Sequence, residues 1–500
     1  MAQPLWLSTA GGQIVGVLGA LAVSSVSLLI LLLLLRRHRR GPLPALNLPP
    51  CPFRPLPLLG NLLDLRKVLR SPVRHTLGPI FTLHLGRGPL IIVTSATLVH
   101  EALVTEGRLF ADRPLLPSRI VFTSNFRNIN AAPYGPYWRT VRRNLVQEML
   151  SMPKILSFKP GRALVLARLV AAIKSEAGNN QGVVSVYFNI RVAMFELLLL
   201  MCFGFHMPEH DILQMSALLD DVVRFAAGQV VDFFPILNLF KRKTQVESSL
   251  RARQVQIFAS HFEKHKELKT LGQLMPGSYL ETLICMNLSI DEMVTLCSEF
   301  MVGGTDTTVT TLEWAMAQLI TNPSIQTKVY DQMCDVVGDR LVEETDLQHL
   351  TYLQAVIKET LRIHPPGYML LPHAVSASCK LGGYDIPSNA IVMFDVLSPA
   401  RDPTIWKDPL SFTPERFLEA LVDITGSKEV MMIPFGAGRR ICPGLGLASM
   451  HMEMFVAHLV KSFEWDSSSP GKAVDFTENF VFTVRMKHPL KAVVRARRGY

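Results

Sequence analysis

One cysteine in this 500-residue chain has neighbours that can turn a thiol into a metal ligand. Cys442 lies in the loop Phe435-Gly-Ala-Gly438-Arg-Arg440-Ile-Cys442-Pro-Gly444, directly before a predicted helix. Glycines let backbone N–H groups approach the sulfur, and a helix N-terminus favours negative charge. Both effects lower the pKa of a thiol and stabilise the thiolate, which is the form that binds metal. We therefore predict that Cys442 is a metal ligand and that Phe435 shields its sulfur from water.

A second group of reactive side chains lies inside a long apolar helix predicted over residues 290–320. Gly303 and Gly304 are adjacent there, although each glycine costs a helix about 1 kcal/mol relative to alanine. Without Cβ atoms they open a groove, and the hydroxyl of Thr307, one turn on, points into it and can bond back to a carbonyl. A helix packed tightly through its glycines is the alternative, but it does not account for the acid and hydroxyl of Asp306 and Thr307.

A third pattern combines one acid with two arginines. Glu359 and Arg362 are three residues apart and can pair on one helix face, and Pro414-Glu-Arg416-Phe417 supplies a second arginine to the same glutamate. Alone, the first pair is most often an ordinary surface ion pair. Because the second arginine and then the cysteine loop follow it, we predict a structural role for Glu359, Arg362 and Arg416 and not a catalytic one.

These segments, in this order and spacing, resemble the haem-thiolate monooxygenases of the cytochrome P-450 superfamily. The resemblance implies haem b with Cys442 as its axial thiolate ligand, and Asp306 and Thr307 as a proton relay during oxygen activation. It also implies electrons from NADPH through a membrane-bound reductase, and dioxygen as co-substrate. Residues expected to contact the haem, several of them through its propionates, are Trp138, Arg142, His373, Phe435, Arg440 and Gly444.

Within the superfamily, several segments resemble plant family 77, subfamily A. They include Gly78-Pro-Ile-Phe-Thr-Leu, the thirteen residues from Trp138, and Gly303-Gly-Thr-Asp-Thr-Thr, whereas Cys51 and Arg127-Asn128 depart from the pattern. This resemblance implies in-chain hydroxylation or epoxidation of fatty acids that feed cutin synthesis.

The same resemblance places a largely apolar substrate pocket at Arg119, Phe122, Val302, Met369, Leu370 and Phe482. For each of these residues ordinary core packing is the alternative. Arg119 is expected to hold the substrate carboxylate, with pairing to a haem propionate or a surface acid as the alternative for this residue.

The N-terminal segment predicts a membrane anchor. Ile14 to Leu35 is an apolar run of about the 20 residues that span a bilayer, and the basic sequence Arg-Arg-His-Arg-Arg follows it. Basic flanks remain cytoplasmic. We predict an anchor over residues 1–40, a stiff proline-rich strap over 41–57 and a haem-binding catalytic domain over 58–500. The expected location is the endoplasmic reticulum membrane, with a single span and a cytoplasmic catalytic domain.

Composition agrees with one large domain. Hydrophobic residues make up 49% of the chain and charged residues 18%, and β-rich patches near 80–94 and 374–394 lie among long helical patterns. The predicted fold is mainly α with a minor β-sheet, as in the cytochrome P-450 fold. The formal charge of +10 fits a membrane surface or an acidic partner better than nucleic acid, because the dense basic runs lie at the termini. The seven cysteines have no CxxC spacing, which argues against zinc and against a disulfide framework.

Three other functions remain open at this point. The first is hydroxylation of another hydrophobic plant metabolite, such as a phenolic or a terpenoid. The second is a haem-thiolate isomerase or dehydratase that acts on hydroperoxides, although such an enzyme has no need of the proton relay predicted at Asp306 and Thr307. The third is a haem protein without catalysis, against which the same complete oxygen site argues. A requirement for NADPH and a reductase would separate the first of these from the second.

Overall fold

The structure is a computed structural model that describes residues 46–497 except for 72–73, 87, 227–229, 235–244, 276 and 469–472. The predicted membrane anchor and the first part of the strap lie outside the described residues, so both stay predictions. Within the described part, one helix, Val186–Phe203, is long and apolar enough to cross a membrane. Because 72% of it is buried inside the protein, we interpret it as a core helix.

Helices form most of the described chain. The first eight are α1 Leu62–Arg70, α2 Ala96–His100, α3 Pro136–Asn144, α4 Met152–Ser157, α5 Lys159–Asn179, α6 Val186–Phe203, α7 Glu209–Ala226 and α8 Val230–Phe233. The next eight are α9 Gln245–Thr270, α10 Tyr279–Ile284, α11 Ile290–Thr321, α12 Pro323–Val337, α13 Thr351–Ile363, α14 Leu397–Ala400, α15 Arg416–Glu419 and α16 Leu445–Ser462. Short turns of 3-10 helix lie at Arg74–Leu77, Pro117–Arg119, Glu344–His349 and Gly438–Arg440.

The strands are short and form four small sheets. They are β1 Ile80–Leu85, β2 Gly88–Val93, β3 Val183–Ser185, β4 His373–Ala374, β5 Cys379–Leu381, β6 Tyr384–Ile386, β7 Ile391–Phe394, β8 Phe463–Ser467, β9 Glu478–Phe480, β10 Val484–Met486 and β11 Lys491–Ala496. The largest sheet has the order β1-β2-β7-β4, with β2 and β7 parallel. The others have the orders β3-β11-β8, β10-β9 and β5-β6.

Helix α11 runs through the centre of the main hydrophobic core. Ser289 and Glu292 form a capping box at its start, which satisfies backbone N–H groups of the first turn. Most of its residues are buried, and it packs most extensively against α6, with α16, α13 and α9 also in contact. A helix that is apolar on nearly all sides is stable only when other elements surround it.

The large sheet is buried on both faces. Along β1 and β2 alternate side chains enter two different cores, as the period of two in a strand requires. Asp395, which follows β7, forms a fully buried ion pair with Arg74 at 2.8 Å. The same carboxylate accepts hydrogen bonds from the backbone N–H of Leu397 and from the hydroxyl of Ser398, so its charge is fully compensated.

The predicted fold class is confirmed. The two β-rich patches contain β1, β2, β4 and β7, and the long helix predicted over 290–320 is α11. The described residues from Pro49 onward form one compact unit, while the domain boundaries predicted from the sequence stay predictions. There the backbone N–H of Thr82 on β1 donates to the carbonyl of Pro50 at 2.9 Å.

Candidate functional site

The cysteine loop is folded tightly by two left-handed glycines. Gly436 and Gly438 have φ of 71° and 65°, a region that other residues rarely adopt. A Cβ at Gly438 would also lie 1.8 Å from the carbonyl oxygen of Leu103. The loop closes through the backbone N–H of Cys442, which donates to the carbonyl of Phe435 at 2.8 Å, and α16 starts three residues later. This places the sulfur at the start of a buried helix.

The thiol of Cys442 does not have the lowered pKa that the sequence predicts. Burial is the largest effect and raises the pKa of Cys442, while the backbone N–H of Gly444 and the charge of Arg142 act in the opposite direction. Desolvation therefore outweighs the loop dipoles in the polypeptide alone. A thiolate at this position needs a directly bound cation, because a coordinated thiol is deprotonated by its metal.

Two predicted haem contacts, Arg440 and Trp138, meet at one carbonyl group. The Arg440 guanidinium donates to the carbonyls of Ala111, Ile129 and Ala132 at 2.6–3.0 Å and lies 4.5 Å from the centre of the Trp138 ring. The indole N–H of Trp138 donates to the same Ile129 carbonyl at 2.9 Å. Arg440 is thus fixed by backbone groups before it meets any ligand.

The structure places further buried guanidinium groups beside Arg440. Arg142 donates to the carbonyl of Ile441 at 2.6 Å, one residue before the cysteine. Arg113, which the sequence analysis missed, donates to the carbonyls of Leu371 and Pro372 at 2.8 Å. Burial and the neighbouring guanidinium groups lower the pKa of Arg113 to about 9 and that of Arg440 to about 10. Buried cations that repel one another fit a site for a doubly anionic group.

In the polypeptide, His373 makes a hydrogen bond to the backbone, and its predicted contact with a haem propionate stays a prediction. Its Nδ1 is 2.6 Å from the carbonyl of Phe110, which can only accept, so Nδ1 carries the hydrogen. Burial and the charges of Arg113 and Arg440 lower the pKa of His373 well below its usual value. A neutral ring with its hydrogen on Nδ1 cannot donate from Nε2, so the predicted donation to an anion requires protonation. Arg113 is the better donor here, although nothing in the Ala-Asp-Arg-Pro sequence around it marks that role.

Glu299 is a second residue of the site that sequence reasoning did not single out. Its carboxylate, one turn before Gly303 on α11, accepts the backbone N–H groups of Ile129 and Asn130 at 2.7 and 2.6 Å. Burial raises the pKa of Glu299 to about 7, against these hydrogen bonds and the charges of Arg440 and Arg142. Glu299 therefore holds the segment whose carbonyl groups orient Trp138, Arg440 and Arg113.

The two adjacent glycines of α11 have different surroundings. A Cβ at Gly303 would meet no atom within 4 Å, whereas a Cβ at Gly304 would lie 2.9 Å from Cδ1 of Leu198 on α6. The open groove is thus at Gly303, and tight helix packing applies to Gly304. The hydroxyl of Thr307 donates to the carbonyl of Gly303 at 2.7 Å, which confirms the predicted bond back to the preceding turn.

Asp306 is held by two arginines that the sequence analysis did not connect with it. Its Oδ1 lies 2.7 Å from Nη1 of Arg191 on α6 and 3.1 Å from Nη2 of Arg485 on β10. Arg191 also pairs with Asp220 on α7 at 2.6 Å. The carboxylate is therefore charge-paired and almost fully buried.

The structure brings the predicted structural triad together. The Arg362 guanidinium binds both oxygens of Glu359 at 2.6 and 2.7 Å, and Nε of Arg416 lies 3.1 Å from the same carboxylate. Glu359 and Arg362 are fully buried, and Arg362 also donates to the carbonyls of Ala400 and Pro409. Glu359 and Arg362 lie in the protein core and Arg416 lies at its edge, an arrangement that agrees with the predicted structural role.

Comparison with known proteins identifies this architecture. The family profile described as Cytochrome P450 matches residues 49–493. The chain is 39% identical to Cytochrome P450 89A9 of Arabidopsis thaliana, over 90% of this chain and 94% of the relative. The chain belongs to the cytochrome P450 family. It is also 33% identical to Cytochrome P450 98A1 of Sorghum bicolor, over 90% and 91% of the two chains.

A solved cytochrome P450 of zebra fish, bound to progesterone, has the same fold. The TM-score is 0.71, with 24% identity over 87% of this chain and 99% of that chain. As a member of the cytochrome P450 family, the 500-residue chain is a monooxygenase with a haem-thiolate iron centre. The narrower resemblance to plant family 77 stays a prediction.

The residues of the site fit a haem group. Cys442 would supply a thiolate ligand to the iron, and the guanidinium groups of Arg440, Arg142 and Arg113 would pair with the two propionates. When bound, the haem supplies the electron transfer and oxygen chemistry of the reaction, and the thiolate donates electron density to it. The open side of α11 at Gly303 leaves space beside it.

The protein's own part in this chemistry lies in holding and moving protons. Because the Thr307 hydroxyl donates to Gly303, its oxygen is free to accept a hydrogen bond from a second group. Asp306, the neighbouring acid, is paired through the same oxygen with Arg191 and Arg485. The relay that the sequence predicts therefore needs two local movements, rotation of the Thr307 hydroxyl and loosening of an arginine.

The predicted pocket residues fall into two groups. Phe122 is buried, while Val302, Met369 and Leu370 are half-buried against the hydrophobic cores, and Leu370 lies next to Gly436 of the cysteine loop. Phe482 is 44% exposed in the turn between β9 and β10, so its pocket role stays a prediction that these contacts do not support.

Proposed function

We propose that this cytochrome P450 oxidises fatty acids in mid-chain, by hydroxylation or epoxidation. Electrons come from NADPH through a membrane-bound reductase, and the N-terminal anchor keeps the enzyme at the endoplasmic reticulum membrane. The observation that supports a fatty acid substrate is the buried guanidinium group of Arg119, which has no bonded partner among the described residues. The resemblance of the chain to plant family 77 supports the same assignment.

The guanidinium group of Arg119 is mostly buried, and it has no hydrogen bond or ion pair with any residue that the structure describes. Burial lowers the pKa of Arg119, and only the charge of Asp232 acts against this effect. The carboxylate of Asp232 accepts hydrogen bonds from the backbone N–H and the hydroxyl of Ser118 at 2.9 and 2.7 Å. A buried charge without a hydrogen-bonded partner is costly. A carboxylate ligand would relieve that cost through a two-pronged hydrogen bond.

Arg127, the other cation of the segment 119–130, is already occupied. Its Nε pairs with Glu292 on α11, and its guanidinium lies 3.9 Å from the centre of the Tyr137 ring. Its side chain is also 49% exposed. Of the two arginines, only Arg119 is in a position where an added anion would be stabilising.

A carboxylate at Arg119 accounts for oxidation away from the chain end. The acid would be fixed at Arg119, in the segment between α2 and α3. The alkyl chain would extend along apolar side chains such as Phe122 and Val302. Because the fixed end is the carboxylate, a carbon in the middle of the chain lies nearest to the oxidising centre.

A different hydrophobic substrate is the second candidate. Relatives about 30% identical include Costunolide synthase of Tanacetum parthenium and Melianol synthase CYP71BQ4 of Citrus sinensis. Such names show that chains of this similarity act on diverse metabolites. A neutral terpenoid would leave Arg119 without a counter-charge, which is why we favour an acid.

The test uses microsomes that contain the full-length protein and a plant NADPH–cytochrome P450 reductase. Saturated and unsaturated acids of medium and long chain are supplied beside their methyl esters, and the products are identified. For Arg119→Ala we expect the Michaelis constant for free acids to rise on the order of tenfold, equivalent to about 1.4 kcal/mol. The value for methyl esters should hardly change.

Arg127→Ala is the matched control, because it removes an arginine of the same segment whose charge is already paired. It should leave the ratio of the Michaelis constants for free acids and methyl esters unchanged. Equal losses for acids and esters in Arg119→Ala would remove Arg119 from the pocket. Wild-type enzyme that converts terpenoids but no fatty acid would overturn the proposed substrate class.

A further inference from the structure

A buried cluster of charged groups lies between α6, α11 and β10, next to the proton relay. It contains Tyr187 and Arg191 on α6, Asp306 and Glu313 on α11, and Arg485 on β10. Nη1 of Arg191 donates to the Tyr187 hydroxyl at 3.3 Å and to Asp306 at 2.7 Å. The ionisation of Tyr187 responds to all four of the other side chains, so the five groups lie within electrostatic reach of one another.

Glu313 is the member of this cluster without a role so far. It is 1% exposed, and one of its oxygens accepts the backbone N–H of Leu490 at 2.9 Å. The other oxygen, Oε2, is buried and has no hydrogen-bond partner among the described residues. An ionised carboxylate with one bare oxygen is poorly stabilised in such a place. A protonated acid is uncharged, so burying it there costs less than burying the carboxylate.

The charges around Glu313 agree with a neutral acid. Arg191 and Arg485 are already balanced by Asp306 and, through Arg191, by Asp220. Burial raises the pKa of Glu313 to about 7, and the backbone hydrogen bond from Leu490 and the charge of Arg485 oppose the shift only in part. Lys487 and His488, in the loop between β10 and β11, are exposed to solvent.

The spacing along α11 places Glu313 on the same side as Asp306. Residues seven apart on a helix lie two turns apart, on nearly the same face. Arg485 contacts Asp306 at 3.1 Å and acts electrostatically on Glu313, so the two acids share one cation. Arg485 is itself partly exposed, which connects the buried cluster with solvent.

We propose that Glu313 holds a proton and passes it to Asp306 each time the relay has given one up. The proton leaves Oε2 of Glu313 and reaches the Asp306 carboxylate through an intervening water, because no described side chain lies within hydrogen-bond distance of Oε2. Glu313 then takes up another proton from solvent along the exposed side of Arg485. When Asp306 is protonated it loses its charge, which weakens its pairing with Arg191 and Arg485. Glu313 acts through Asp306 and is therefore a positioning and proton-supplying residue.

The decisive variant is Glu313→Gln, because an amide keeps the shape and neutrality of the protonated acid but cannot release a proton. We expect normal haem content and thermal stability. The amount of product per NADPH should fall on the order of tenfold, with peroxide released in its place. The loss relative to wild type should shrink as the pH rises above about 7, because Glu313 of the wild-type protein then releases its own proton. Glu313→Asp should restore part of the yield.

Glu453→Gln is the matched control. Glu453 on α16 is also a buried carboxyl whose pKa burial raises to about 7, but its charged neighbour is Lys358, outside this cluster. Its substitution should leave the yield per NADPH unchanged. Product formation driven by an organic hydroperoxide, which already carries its proton, should be the same in wild type and Glu313→Gln.

Infrared spectroscopy tests the proton on Glu313 without any substrate. The wild-type protein near pH 7 should show the carbonyl stretch of a buried carboxylic acid that is missing in Glu313→Gln. Absence of that band, or an unchanged yield per NADPH in Glu313→Gln, would overturn the proposal. If wild-type enzyme converts no fatty acid, the proposed substrate class fails, while the infrared result still decides the role of Glu313.

Discussion

The hydroxyl of Thr307 illustrates how a single side chain can combine structural and chemical roles. It donates to the carbonyl of Gly303, and one turn later the hydroxyl of Thr311 donates in the same way to the carbonyl of Thr307. Both residues therefore make the same local hydrogen bond, with lengths of 2.7 and 3.0 Å. Only Thr307 also lies beside Asp306 and the open groove.

This pair of threonines gives a direct test of the relay. Thr307→Ala should keep haem and substrate binding but divert most of the NADPH into peroxide, because the ordered proton route is lost. Thr311→Ala removes an equivalent hydrogen bond to the backbone, which contributes only about 1 kcal/mol to stability. Because Thr311 does not lie beside Asp306 and the open groove, the product yield should change by less than about twofold. Product and peroxide are measured against NADPH. If the two variants form equal amounts of product per NADPH, the result would contradict the role of Thr307.

At this scale the sequence identifies residue types but not their partners. Cys442, Asp306 and Thr307 were found because their neighbours in the chain mark them. The arginines that bind Asp306 come from positions 191 and 485, and no local pattern connects them with residue 306. Arg113 was missed for the same reason, since its role depends on carbonyl groups at 371 and 372. In the polypeptide alone burial raises the pKa of the Cys442 thiol, and the degree of burial cannot be read from a loop sequence.

At the scale of elements, α11 shows how two neighbouring glycines can serve different purposes. Gly304 allows close approach to Leu198 on α6, whereas Gly303 keeps a space open. Alanine at either position gains the same helix propensity, about 1 kcal/mol. A comparison of the two alanine variants therefore isolates the effect of packing.

We expect Gly304→Ala to be less stable than Gly303→Ala by about 1–3 kcal/mol, because the added methyl group overpacks the contact between α6 and α11. Gly303→Ala should keep its stability but weaken the spectral shift that substrate binding produces, since the methyl group enters the open groove. Thermal unfolding and substrate titration measure the two effects. The reverse order of stability would show that the groove is at Gly304.

Long helices were predicted well, and the small sheets only in part. The central helix was expected over 290–320 and is found over Ile290–Thr321, because its length and apolar character leave little choice. The sheet β3-β11-β8 was not anticipated. Its strand β3 has three residues, and its pairing partner β11 lies near the other end of the chain, so neither local pattern nor propensity indicates it.

At the scale of the whole molecule, buried carboxyl groups make stability depend on pH. Burial raises the pKa of Glu453 from 4.5 to about 7. The folded protein then binds this proton more tightly than the unfolded chain does. Its stabilising contribution is complete below the unfolded pKa of 4.5, and it is lost as the pH rises through 7.

Glu453→Gln should remove this dependence. Between pH 4.5 and about 8 the variant should gain up to about 3 kcal/mol in free energy of unfolding relative to wild type. Denaturant unfolding at several pH values measures the difference, followed by circular dichroism. A difference that is constant across this range would mean that Glu453 is not protonated in the folded protein.

The buried pair of Arg74 and Asp395 also constrains how the chain can be made. The two residues are 321 positions apart, and a ribosome adds about 5–20 residues per second. After Arg74 has been synthesised, roughly 15–65 s therefore pass before its counter-charge exists. During that interval the first hairpin, whose strand β2 must pair with β7, has an unpaired edge and an uncompensated cation. Chaperone binding to nascent chains that end before residue 395 should be stronger than to chains that extend past it.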